Sequence, residues 1–152
     1  MINTSNIPKI RLSRAAPLAL LLLASANLYA QQPMSISLNG AAEVPPVTTS
    51  ATGTGQITVL PDHTVSGNIN TSGLVPTMAH IHEAAAGKNG PAIITLTKTA
   101  NDNFVVPAAA RLTETQYTSY LSGNLYVNVH SAQYPNGEVR AQLLGKPMTL
   151  AH

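Results

Sequence analysis

The chain has no cysteine, no tryptophan and a single phenylalanine, and charged residues make up only 9% of its 152 positions. Without cysteine there is no disulfide framework, no thiolate nucleophile, and no thiolate-ligated zinc or iron–sulfur site. The length leaves no room for a multidomain enzyme. Acidic residues are missing before Glu43, whereas Lys9, Arg11 and Arg14 are three of the eight basic residues. Residues 31–152 thus carry five bases against six acids, a formal charge of −1. The overall pI near 9.1 belongs mostly to the first thirty residues. A nucleic-acid-binding protein with a basic face is excluded.

What is present begins with a leader. Lys9, Arg11 and Arg14 form a positive stretch ahead of an apolar run from Ala15 to Ala26, which contains Leu20 to Leu23. At about a dozen residues, the run is shorter than the ~20 needed to span a bilayer as a helix. Small residues end in Tyr29-Ala30 before the polar Gln31-Gln32, so residues 1–30 are expected to be a signal peptide cut after Ala30. The expected product is exported, periplasmic or secreted, with no membrane span after cleavage. An uncleaved anchor is the other reading. Bacterial lipid attachment is excluded because it needs a cysteine at the cut.

Residues 31–152 read as a single domain whose core runs over about 35–144. Short alternating runs are punctuated by turn residues, the pattern of an all-β chain. Strands are predicted over residues 35–38, 55–60, 64–71, 78–83, 92–97, 125–130 and 138–144. Gly87-Lys88-Asn89-Gly90-Pro91 marks a loop and Pro135-Asn136-Gly137 a hairpin turn. Thr113 and Gln116 have capping-box spacing, and Tyr117, Tyr120 and Leu121 follow at helical spacing before Gly123, so one short helix is expected. The predicted fold is an antiparallel Greek-key β-sandwich or barrel with one short helix.

Chemistry concentrates on histidine. His80 and His82 sit at i and i+2 of a predicted strand, so their rings leave the same face with Cβ atoms ~7 Å apart. Met78 shares that face, and His130 ends another predicted strand from which it could add a third nitrogen. Three neutral nitrogens without a thiolate suit copper or zinc, and the intrinsic affinity order favours Cu(II). The competing reading makes His80 and His82 ordinary polar residues on a wet strand face. His63 is expected outside any cluster, in a hairpin turn. Glu83 faces away from the pair by alternation, and Ser131 beside His130 cannot form a nucleophile–base pair because strand neighbours point to opposite faces. Glu138 and Arg140 share a face and are expected to form a surface or rim ion pair, with Arg140 as an anion-attracting charge in the functional alternative. Tyr126 and Tyr134 read as packing residues. No phosphate-binding glycine loop opens a helix, and no organic cofactor is expected.

These residues also carry a family resemblance. Leu38-Asn39-Gly40, Glu43-Val44-Pro45-Pro46-Val47, Ala79-His80-Ile81-His82 and Asn89-Gly90-Pro91 occur in that order. With Tyr126-Val127-Asn128-Val129-His130-Ser131 and Gly137-Glu138-Val139-Arg140 they resemble the CHRD domain, named for its repeats in chordin. One departure is Ala84, where these domains commonly have glycine. The resemblance implies an all-β fold and, in bacteria, an exported protein. More distantly, a His-x-His strand, a glycine-containing loop, a later Val-His and a final Gly…Arg strand are similar to copper–zinc superoxide dismutase. That likeness would match His80, His82 and His130 to copper ligands. The 83–91 loop offers no counterpart for the bridging histidine or the zinc ligands, and the disulfide is missing.

Three functional expectations follow. The first is one copper ion held by His80, His82 and His130, for storage, delivery or protection, with Met78, water or His152 as a fourth ligand. The second is a non-catalytic extracellular module that binds another extracellular or periplasmic protein, its histidines being structural. The third is a copper-only dismutase-like enzyme in which Arg140 steers superoxide.

Overall fold

A computed structural model describes residues 33–145. The leader with its cut after Ala30, and the candidate ligand His152, lie outside the described residues. Nine strands form one antiparallel sheet: β1 (Met34–Asn39), β2 (Thr52–Val59), β3 (Val65–Ser72), β4 (Pro76–Glu83), β5 (Ala92–Thr95), β6 (Thr97–Lys98), β7 (Phe104–Val105), β8 (Leu125–Ser131) and β9 (Val139–Leu143). Their order is β5-β4-β8-β9-β1-β2-β3-β7-β6. The neighbours β4–β8, β9–β1 and β3–β7 are not consecutive in the chain, and these crossovers give the sheet its Greek-key character.

The two edge strands, β5 and β6, are separated only by Leu96. One extended segment therefore supplies both edges and nearly closes the sheet into a barrel. Leu96 N–H donates to the Ala79 carbonyl at 2.9 Å, and Lys98 Nζ donates to the Pro76 carbonyl at 2.6 Å, which ties the junction to β4. Closure leaves little exposed strand edge for association with other chains. Alternation fills the interior: Leu38, Ile57, Ile69, Ile81, Val127, Val129 and Leu143 point inward and are at most 1% exposed. Each such side chain stabilises by about 1.5–3 kcal/mol relative to exposure.

The helix α1 (Glu114–Leu121) forms where the capping signal places it. Thr113 Oγ1 accepts from Gln116 N–H at 3.2 Å, and Gln116 Oε1 accepts from Thr113 N–H at 2.9 Å, so both halves of the capping box are present. Tyr120 is the helix residue buried against the core. Among the described residues no helix is long and apolar enough to cross a membrane.

One feature departs from the expected pattern. All seven residues of β8 are buried, although alternation exposes one face of a strand in a simple barrel. Leu125, Val127 and Val129 face the core, whereas Tyr126, Asn128 and His130 face outward beneath the loops that follow β1, β4 and β8. The candidate site lies in this second, polar layer.

Candidate metal centre

Register builds the layer. Across β4 and β8, Met78 pairs with His130, His80 with Asn128, and His82 with Tyr126. Across β8 and β9, Tyr126 pairs with Gln142 and Asn128 with Arg140. Directly paired residues share a face, so these side chains all lie on the outside of the barrel.

Three histidines converge there. One ring nitrogen from each of His80, His82 and His130 lies within 4.8 Å of the other two. His80 Nδ1 is 3.0 Å from His130 Nε2. The His80 ring stands edge-on to both others, 5.4 Å from His82 at 89° and 4.9 Å from His130 at 74°, centroid to centroid. His63 is elsewhere: it stacks on Tyr117 at 4.4 Å, and its Nε2 is 3.6 Å from Glu114 Oε2.

Two loop carbonyls fix a hydrogen on Nδ1 of two rings. His82 Nδ1 lies 2.9 Å from the Gly90 carbonyl, and His130 Nδ1 lies 2.9 Å from the Pro135 carbonyl. A carbonyl only accepts, so each Nδ1 carries a hydrogen, and in the neutral ring each Nε2 keeps a bare lone pair. His82 Nε2 is buried and has no hydrogen-bond partner. A buried acceptor left in that state costs about 1–3 kcal/mol. Position 90 must be glycine for this contact to exist, since a Cβ there would run into the Glu83 carbonyl.

The electrostatics favour neutral rings. Burial lowers the pKa of His80 below the ordinary 6.5, and the neighbouring His130 and His82 lower it further. His130 is also lowered, chiefly by burial, although its bond to Pro135 opposes the shift and His82 adds to it. Neutral imidazoles are the form that ligates a metal.

Around the histidines lies a set of groups that alternation could not reveal. Tyr126 stacks on His82 with centroids 4.8 Å apart and planes 8° from parallel. The Arg140 guanidinium carbon lies 3.4 Å from the Tyr126 ring centroid. Expected at the surface in an ion pair with Glu138, Arg140 is in fact 1% exposed and Glu138 5%. Arg140 donates to the Lys88 carbonyl at 2.9 Å, to Asn89 Oδ1 at 3.1 Å and to Gln142 Oε1 at 3.2 Å, while Glu138 Oε1 accepts from Thr49 Oγ1 at 2.7 Å. The loops cover both residues, and backbone and amide oxygens take the place of the expected carboxylate. Arg140 therefore cannot act as an exposed anion-attracting charge.

Met78 stands opposite His130 in the register but is 47% exposed, at the open rim. Glu83 faces away from the histidines and accepts from Ser119 Oγ at 2.6 Å. Ser131 likewise points away from the His130 ring, and its Oγ accepts from Tyr134 N–H at 3.2 Å. Asn128 and Glu43, given no role from sequence, are 2% and 5% exposed, and each has one buried oxygen without a partner. The run Tyr126-x-Asn128-x-His130 held the signal for Asn128, because it sets Asn128 on the same face as His130.

No curated protein and no solved structure matches the chain. The model of the CHRD domain matches residues 34–143, which span every strand and the three histidines. The chain belongs to the CHRD domain family.

Proposed function

We propose that this protein is an exported CHRD-domain protein that binds one copper ion through His80, His82 and His130, for storage, delivery or protection. Two observations support this most: one ring nitrogen from each of the three histidines lies within 4.8 Å of the other two, and the Nε2 of His82 is buried without a hydrogen-bond partner. Structural histidines would explain the bonds to Gly90 and Pro135. They would not explain a lone pair sealed from water at a cost of about 1–3 kcal/mol. A cation at the convergence point removes that cost. Three neutral nitrogens and no thiolate fit Cu(II) ahead of the other divalent first-row ions. Met78 or water at the open rim completes the coordination.

Titration of the purified protein with Cu(II), Cu(I) and Zn(II), beside a His80→Ala, His82→Ala variant, tests the reading. The wild type is expected to take up one copper per chain and the variant none. Equal uptake by both would overturn it. Export is tested separately, by mass spectrometry of the protein recovered outside the cytoplasm, where a chain beginning at Gln31 is expected.

A second reading keeps support from the same two carbonyl bonds. By anchoring the loops after β4 and β8, His82 and His130 would shape a surface that presents those loops to another extracellular protein. On that reading copper leaves the melting temperature unchanged, whereas a ligand of the native state raises it. The dismutase reading loses its steering charge, because Arg140 is sealed beneath the loops.

A further inference from the structure

Arg140 is a large buried charge that hydrogen-bonds to none of the three histidines, and its contacts lead to one of them by two routes. The first runs through the loop. Its guanidinium holds the Lys88 carbonyl and Asn89 Oδ1, and Asn89 Nδ2 in turn donates to the Val44 carbonyl at 2.6 Å. The next residue is Gly90, whose carbonyl takes the His82 Nδ1 hydrogen. The second route runs through Tyr126. Its ring has His82 on β4 to one side and Arg140 on β9 to the other, since β8 lies between those strands. The Tyr126 hydroxyl accepts from Gly90 N–H at 3.3 Å, so both routes meet at Gly90.

We propose that Arg140 is a positioning residue for the histidine cluster: through the 88–90 loop tip and Tyr126, it holds His82 in one orientation with Nδ1 protonated and Nε2 bare. Its planar fork suits the task, because two diverging donors fix the loop backbone and a side-chain amide together, while the flat cation packs against the tyrosine face. A lysine at 140 would keep the charge and lose the fork. His130 is anchored independently, by Pro135. Disturbing Arg140 should therefore loosen one ligand of three. For metal affinity this inference rests on the copper reading; for the state of the His82 ring it does not.

The test separates the two. Nitrogen-15 NMR of the imidazole rings in metal-free wild type, Arg140→Lys and Asn89→Ala proteins reports each tautomer directly. Asn89 is exposed, so its variant serves if Arg140→Lys fails to fold. In wild type, His82 and His130 are each expected as the single Nδ1–H form. In the variants, His82 should become a mixture while His130 stays as it was. Copper affinity should weaken about 10–100-fold, the range seen when a partner supporting a metal ligand is lost. A His82 ring that keeps its single tautomer in the folded variants, with only the melting temperature lowered, would overturn the proposal. Wild-type protein that takes up no copper would overturn the copper reading alone.

Discussion

His80 Nδ1 donates to His130 Nε2 across 3.0 Å, and the direction of that bond is fixed from a distance. His130 Nδ1 already gives its hydrogen to the Pro135 carbonyl, so a neutral His130 has only a lone pair at Nε2. The shared hydrogen belongs to His80, and it occupies the space between two nitrogens that a metal would need.

Metal loading should therefore change the tautomer of one histidine. To ligate through Nδ1, the nitrogen that faces His130, His80 must move its hydrogen from Nδ1 to Nε2, whereas His82 and His130 already present a lone pair at Nε2. Diamagnetic Zn(II) makes this visible by nitrogen-15 NMR. His80 is expected to exchange tautomers on loading, with the other two unchanged. Three rings that all keep their metal-free tautomers would show that zinc is not held through Nδ1 of His80.

Copper or zinc uptake should survive acidification better than binding to free imidazole does. The pKa values of His80 and His130 are lowered below 6.5, chiefly by burial, so both rings stay neutral to a lower pH. For the metal-free protein the sign is the same. A histidine lowered by folding binds its proton more readily in the unfolded chain, so stability is lost as pH falls from about 6.5 through the folded-state values. Metal uptake and urea unfolding, each followed from pH 8 to pH 5, check both statements. The His80→Ala variant should lose part of the stability slope.

Glu43 carries the opposite dependence. Burial raises its pKa from 4.5 to about 7, against the lowering effects of Arg140 and of hydrogen bonds from the Val44 backbone and Asn128. The folded protein holds this proton more tightly than the unfolded chain, so Glu43 makes stability fall as pH rises from about 4.5 to 7. The effect should be on the order of 1–2 kcal/mol, the solvent-screened part of a shift worth about 1.4 kcal/mol per pH unit. Glu43→Gln should flatten this limb and stabilise the protein above pH 7. Gly137 limits what else can be done here, because a Cβ at that position would fall 2.6 Å from Asn128 Nδ2 and within 2.9 Å of the Glu43 carboxyl carbon. Chemical denaturation of both proteins at pH 5 and pH 8 decides the matter.

Local signals made much of this legible. The i, i+2 spacing of His80 and His82 needs only an extended backbone, and the capping box of Thr113 and Gln116 needs only one helical turn. Burial of the outward face was hidden, because periodicity records which way a side chain points and not what covers it. Asn128 and Arg140 alternate as solvent-facing residues should, and loops from distant parts of the chain seal them. Edges were the other blind spot. Residues 92–97 read as one strand but divide at Leu96 between the two ends of the sheet. Strand β7 has only two residues, too few to show a period.

That missed strand supplies the last prediction. Phe104 is the chain's one phenylalanine, is fully buried, and pairs with Ile69 on one side and Lys98 on the other. It therefore joins β3 to the segment that closes the barrel. Phe104→Ala should destabilise the protein by about 3–5 kcal/mol, the range for emptying an aromatic site in a packed core. The break falls at the β3–β7–β6 side, away from β8. Backbone amides of β6 and β7 should lose hydrogen-exchange protection first, and those of β8 last. Uniform loss across all nine strands would mean that closure and the polar layer unfold as one unit. Early loss in β8 would place the weak point at the histidines, contrary to the contacts that bury them.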